Sequence, residues 1–167
     1  YEAVLEQAVL AEELGFDRIS LSEHHFVDDG YLPSAIPIAA AIAARTKYIG
    51  IGTSIIILPF YHPILLAEQC SLVDILSNGR LSIGIGAGYK VDEFEGFGTP
   101  KNRRRTLMEE GLQILTKCWT EEEFSFKGEH YDIKNVRCTP KPLQKPHPPV
   151  WIGARSDAAT TRAARMG

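Results

Sequence analysis

Residues 80 to 89 read RLSIGIGAGY, an Ile-rich run interleaved with glycine that ends on a glycine turn. A strand leading into such a turn opens many nucleotide-binding folds. Here, however, the third glycine of GxGxxG is missing and the chain runs on into EFEGFG instead of a helix, so the dinucleotide fingerprint fails. The same strand grammar stands upstream, from Phe16 to Leu21 and from Tyr48 to Leu58 (YIGIGTSIIIL), each rich in Ile or Leu as a strand covered on both faces would be. The strand starts at Phe16, Tyr48 and Arg80 are spaced by 48 − 16 = 32 and 80 − 48 = 32 residues. A fixed step of this length is what successive βα units give, and right-handed crossovers then force a parallel sheet.

Working outward, residues 1 to 14 place Ala3, Val4, Ala8, Ala11 and Leu14 at helical spacing before Gly15. PSAIPIAAAIAART (33 to 46) and PILLAEQCSLVDIL (63 to 76) read as the helices between the strands, the second with Pro63 in its first turn and Asn78-Gly79 as its stop. The fourth strand, VWIGA (150 to 154), comes roughly one unit later than the period requires, so residues 120 to 148 read as an insertion. The helix KNRRRTLMEEGLQILTKCW (101 to 119) precedes it, FSFKGEHYDI (124 to 133) alternates like a hairpin turning at Lys127-Gly128, and TPKPLQKPHPP (139 to 149) reads as an extended, ordered connector. A last helix starts near Ser156. Residues 1–167 therefore read as one partial domain, the N-terminal half of an α/β TIM-type (β/α)8 barrel. Four parallel strands, near 16 to 22, 48 to 58, 80 to 87 and 149 to 154, should follow sequence order, with the hairpin apart from them. The unfinished sheet should leave two strand edges and an apolar surface uncovered.

The polar and glycine-rich residues cluster in one way. Glu23-His24-His25 follow the first strand, Thr53-Ser54 fall late in the second, Gly86-Ala87-Gly88-Tyr89 end the third, and Arg155-Ser156 follow the fourth. All lie at C-terminal strand ends, where the βα loops of a barrel converge on one pocket.

The segments SEHHF (22 to 26), GTSIIILPFYHPILLAEQ (52 to 69), LSNGRLSIGIGAGY (76 to 89) and KPHPPVWIGARSDAATTRAARMG (145 to 167) closely resemble bacterial luciferase and the wider luciferase-like monooxygenases. The resemblance covers nearly the whole chain and implies a barrel about twice as long that binds reduced FMN, or in some branches a deazaflavin, at its C-terminal face. It implies an oxygenation of a small organic substrate by reduced flavin and oxygen, with a separate flavin reductase as a possible partner and a dimer or other homo-oligomer as the assembly. A deazaflavin branch would perform hydride transfer in the same pocket, and a non-catalytic flavin-binding subunit is the alternative from another class.

The resemblance assigns the catalytic proton-transfer role to His24 and places His25, Ser54, Ile55, Gly86, Ala87, Gly88, Arg155 and Ser156 at the cofactor. It also implies a non-proline cis peptide between Ser54 and Ile55. Neighbouring histidines on an extended segment point to opposite faces, so one of His24 and His25 can equally fill the barrel wall. Glycines 84, 86 and 88 admit either a flat ligand close to the backbone or tight packing. Luciferase proper carries Cys-Arg where this chain has Gly86-Ala87 and a glutamate where it has Arg155, so a phosphate-holding arginine is lost and Arg155 is its possible substitute. Ser156 reads either as the start of a phosphate-binding helix N-terminus or as a plain N-cap.

Other residues read as structural. His62-Pro63 starts a helix, Asp74 and Arg80 flank the LSNG turn and should pair or cap, and Arg103 to Arg105 should form a solvated face, with a carboxylate of the EFEG loop or an anion as the competing partners. A net charge of −3 with scattered basic residues gives no footprint for nucleic acid or an anionic membrane, and no apolar run reaches the roughly 20 residues of a membrane span. Cys70, Cys118 and Cys138 form no CxxC pair and no cluster has metal-ligand spacing, which favours a reducing, cytoplasmic setting. The lack of an initiator Met and the ending ARMG lead to the expectation that both ends are truncated.

Overall fold

The computed structural model describes residues 1–166. In chain order, helix α1 (Glu2–Glu13) leads into strand β1 (Arg18–Leu21), helix α2 (Ala35–Arg45) and strand β2 (Gly50–Thr53). Strand β3 (Ile56–Ile57), helix α3 (Pro63–Leu76), strand β4 (Leu81–Gly86) and helix α4 (Val91–Gly96) follow. Helix α5 (Arg104–Thr120) precedes the hairpin strands β5 (Phe124–Lys127) and β6 (Asp132–Val136), and strand β7 (Val150–Ile152) precedes helix α6 (Asp157–Met166).

The sheet is parallel throughout. β1 pairs with β2 (Arg18 opposite Gly50), β2 and β3 pair with β4, and β4 pairs with β7 (Ile83 opposite Val150). The staves therefore stand in sequence order, with β2 and β3 sharing one stave, as a partial (β/α) barrel requires. Among the described residues, β1 and β7 each pair on one side only. The hairpin β5–β6 is antiparallel and forms its own sheet.

Strand alternation sorts the side chains. Ile51, Leu81, Ile83 and Ile85 point outward into a core with Ile42, Leu66 and Ile114 of the covering helices, all nearly or fully buried. Arg18, Ser20, Gly52, Ser82, Gly84 and Trp151 face the concave side, around a hollow of about 350 Å³. There the Arg18 guanidinium donates to the Ser82 hydroxyl. Trp151 remains 64% exposed, as an aromatic on the inner wall of an open barrel would.

Arg80 ties the bottom of the sheet together. Its Nε donates to the Ser77 carbonyl (2.6 Å), and its two terminal nitrogens reach the Ile49, Thr46 and Ala43 carbonyls at 2.7, 2.9 and 3.2 Å. Asp74 does not pair with it; of the two expected roles, pairing or capping, Arg80 takes the second, closing carbonyls at the ends of α3 and α2. The Asp74 carboxylate instead accepts the backbone and side-chain N–H groups of Gln144, at 3.0 and 2.6 Å, and so anchors the proline-rich connector.

Three further differences matter. The run 48–58 forms two strands, β2 and β3, on either side of Ser54-Ile55, whose peptide is cis. The hairpin turn spans Gly128 to Tyr131, wider than Lys127-Gly128, because Gly128 N–H closes on the Tyr131 carbonyl at 2.9 Å. The EFEG segment is helical in α4, where Asp92 and Glu93 in the first turn suit the helix dipole.

Candidate active site

A cleft of about 680 Å³ opens at the C-terminal edge of the sheet. Its lining includes Glu23 and His24 after β1, Ser54, Ile55 and Ile57 around β3, Gly86 to Tyr89 after β4, and Gly153 to Ser156 after β7. A larger hollow, about 910 Å³, lies between α5 and α6, but none of the strand-end residues reaches it, so the chemistry belongs to the smaller one.

His24 is one-third exposed, and its Nδ1 lies 3.1 Å from Oε1 of Glu93, whose side chain is fully buried. The carboxylate oxygen accepts, so Nδ1 carries the proton and Nε2 is the nitrogen left to exchange one. The ring also meets Tyr31 and Tyr89 edge-on, with centroids 5.2 and 6.5 Å apart. The same Glu93 oxygen accepts the His25 backbone N–H at 3.0 Å, and the Lys90 ammonium lies 3.9 Å from it. Oε2 of Glu93 is buried without a partner among the described residues, a costly arrangement for a carboxylate away from a functional site.

His25 is placed differently. Its ring packs edge-on against Phe97 (4.7 Å) and Phe60 (5.8 Å), and its Nε2 meets Glu23 Oε1 at 3.0 Å. It does not line the cleft, which corrects its placement at the cofactor: of the two histidines it is the one that fills the wall. Glu23 is held in turn by the Tyr61 hydroxyl, which donates to Oε2 at 2.6 Å. Burial, with Glu23 beside it, pushes the Tyr61 phenol far above its ordinary range, so it stays a donor.

The glycines answer the choice the sequence left open. A Cβ on Gly84 would lie 2.2 Å from the Thr53 carbonyl oxygen, and one on Gly86 would lie 2.1 Å from the Ile55 side chain. Gly88, at φ +75°, would meet Ile57 and Phe94. Protein atoms occupy those spaces, so tight packing against Thr53 and Ile55 at Gly84 and Gly86, and against Ile57 and Phe94 at Gly88, accounts for the glycines, although Gly86, Ala87 and Gly88 also form a low wall of the cleft.

Arg155 and Ser156 both line the cleft. Ser156 caps α6, its Oγ accepting the Ala159 N–H at 3.3 Å and its carbonyl the Thr160 N–H at 2.8 Å. Arg103 and Arg105 are exposed and Arg104 half-buried, as a solvated face requires, and Arg104 and Arg105 also line the cleft, where an anion contact is open to them. Neither pairs with the EFEG carboxylates: Arg104 donates to the Lys101 carbonyl at 2.9 Å. Arg104, Arg105 and Arg155, a fourth arginine, Arg162, that is paired with Glu109 at 2.6 Å, and a helix start thus share one cleft with His24, whose carboxylate partner Glu93 is buried behind it. Arg155 was expected there, whereas Glu93, Arg104 and Arg105 were missed as site residues because the segments that carry them meet only in the folded chain. The available signal was three arginines opening a helix, where the dipole opposes them.

The fold and cleft define a partial (β/α)-barrel that gathers an imidazole and several guanidinium groups in one cleft at the C-terminal edge of its sheet. The family description "Luciferase-like monooxygenase" matches residues 1–167, and the chain belongs to that family. It is 34% identical to an F420-dependent glucose-6-phosphate dehydrogenase of Microbacterium testaceum, over 98% of this chain and 50% of that protein. It is 31% identical to the oxygenase component of a flavin-dependent trigonelline monooxygenase of Acinetobacter baylyi, over 100% of this chain and 47% of that one. The crystal structure of monooxygenase RslO1 from Streptomyces bottropensis superposes with a TM-score of 0.93 at 33% identity, over 98% of this chain and 50% of that one. The chain spans about half the length of the curated relatives it matches.

Proposed function

We propose that this chain forms the cofactor-binding half of a flavin-dependent monooxygenase that uses reduced FMN and molecular oxygen to oxygenate a small organic substrate. One observation carries the reading: His24, tied to buried Glu93, and the cations Arg104, Arg105 and Arg155 open on a single cleft. At about 680 Å³ the cleft falls within the roughly 300–1,000 Å³ typical of ligand pockets. The fit is chemical as well as spatial. Ile55, Ile57, Ala87 and Met108 offer apolar walls for a flat ring system, while the arginines and the start of α6 suit a phosphate. When bound, reduced flavin supplies the electrons that activate oxygen, whereas a deazaflavin supplies hydride. The residues orient the ring, hold the phosphate and, at His24 Nε2, exchange a proton, while the apolar walls limit water.

The second reading is a deazaflavin-dependent dehydrogenase, favoured by the buried carboxylate on His24 Nδ1. A carboxylate at Nδ1 fixes the tautomer and leaves Nε2 as the nitrogen that can take a proton, as removing an alcohol proton during hydride loss demands. The likeness to the F420-dependent glucose-6-phosphate dehydrogenase supports it. A separate reductase is a partner under the first reading, and the oxygenase-component name of the trigonelline relative supports it. The test is to offer the full-length protein reduced FMN and deazaflavin separately and to identify the copurified cofactor by absorption and mass spectrometry. Tight FMN binding with oxygen-dependent product supports the first reading; selective deazaflavin binding with oxygen-independent turnover replaces it with the second.

A further inference from the structure

The β5–β6 hairpin lies outside the barrel sheet, yet its tip is fastened to the helix that carries two of the cleft arginines. Glu110 of α5 accepts the backbone N–H groups of Glu129 and His130, at 2.7 and 3.0 Å. One turn earlier, Thr106 Oγ1 lies 2.6 Å from His130 Nε2, and the same hydroxyl lies 3.1 Å from the Arg103 carbonyl. Hydroxyl and imidazole are joined by one hydrogen bond, its donor set by the tautomer of His130. The His130 side chain is only 5% exposed, which makes this a built contact. Gly128 completes it: a Cβ there would lie 2.3 Å from the Glu110 carboxylate, so glycine lets the tip close on Glu110 without displacing that side chain.

Residues 106 and 110 sit at i and i+4, on one face of α5, so the tip grips the helix at two points along its axis. Two such points fix the helix against rotation. Arg105 precedes Thr106 by about 100° of helical turn, so the same grip fixes the direction in which its guanidinium leaves the helix. We infer that the β5–β6 hairpin is a positioning device for cofactor phosphate, with Glu110, Thr106 and His130 acting through Arg105 to set preference for phosphorylated over phosphate-free flavin. This rests on the proposal that the cleft binds a phosphorylated flavin.

The test measures dissociation constants of FMN and riboflavin with the full-length protein, by quenching of flavin fluorescence. These ligands share the ring and differ in the phosphate. Glu110→Ala is expected to weaken FMN about 10-fold, the loss of roughly one well-placed charged contact, while riboflavin stays within about 2-fold. Removing a carboxylate near an anion site would by charge alone strengthen FMN, so weakening has the sign of positioning. Thr106→Val, which removes one hydroxyl at constant volume, should act in the same direction and stands in if Glu110→Ala fails to fold. Equal weakening of FMN and riboflavin, or no change in either variant, overturns the hairpin's role. Arg105→Gln separates the layers. If it lowers FMN affinity selectively while the hairpin variants do not, only the positioning inference falls. If Arg105→Gln leaves the FMN preference intact, the phosphate is not held there, and the reading of this side of the cleft falls with it.

Discussion

Oε1 of Glu93 lies 3.1 Å from the Nδ1 of His24 and 3.0 Å from the backbone N of His25, so a single carboxylate oxygen on α4 holds both the imidazole and the backbone of the turn that presents it. His24 is therefore oriented from the third βα loop, the one after β4, rather than by its own strand. A carboxylate at Nδ1 fixes the ring's tautomer and orientation, which sets which nitrogen is left to exchange a proton.

From this pairing, His24→Ala in the full-length protein should retain reduced flavin binding and lose product formation by about 100-fold or more, the usual cost of removing a general acid or base. Glu93→Gln keeps the shape but loses the charge and should lower turnover in the same direction with less effect on flavin affinity. Turnover and flavin dissociation constants, measured side by side, check both. Wild-type turnover in His24→Ala would make the histidine a packing residue.

Gly84→Ala should cost stability, because the new methyl would lie 2.2 Å from the backbone carbonyl of Thr53 and one of two strands must shift. The expected loss is about 1–3 kcal/mol, as in other overpacked cores. Gly52→Ala, whose Cβ would come no closer than 3.2 Å to two serine hydroxyls, should lose less. Chemical denaturation of the two variants gives the ordering.

Arg80→Lys should destabilise the protein despite keeping the charge. A guanidinium reaches four carbonyls from two α/β connections at once, and an ammonium with a single nitrogen cannot span them. Leaving buried carbonyls unpaired costs about 1–3 kcal/mol. A fall in the denaturation midpoint measures it.

Glu12 makes stability depend on acid. Its carboxylate accepts the backbone N–H groups of Lys47, Tyr48 and Ile49, at 2.7 to 3.0 Å. Desolvation works against ionisation there, but these donors, with Arg80 nearby, outweigh it and hold the carboxyl below its ordinary value of 4.5. A depressed folded value means that the contribution is fully present above about pH 4.5 and is lost as pH falls through the folded value. The gap in unfolding temperature between wild type and Glu12→Gln should therefore be widest near neutral pH and narrow below pH 4.5. A gap that is constant down to pH 3 would show that the carboxylate's charge is not what holds α1 to the 47–49 turn.

The sequence by itself determined the repeating βα order, the parallel sheet and the C-terminal edge on which His24, Ser54, Gly86 and Arg155 gather. Those follow from local periodicity and from the fixed hand of βα crossovers, both of which are written in consecutive residues. It also marked the family, through runs such as SEHHF and GTSIII, and so the cis Ser54-Ile55 peptide. Only the tertiary structure decided which histidine faces the cleft, because Glu93, 69 residues from His24, and the Phe60–Phe97 wall choose between the two rings. It alone turned the glycines into packing sites against Thr53, Ile55, Ile57 and Phe94, brought Arg104 and Arg105 into the cleft, and sent Asp74 to Gln144 instead of Arg80. Those outcomes depend on contacts between segments distant in the chain, where charge and spacing along the sequence hold no information about which groups will meet.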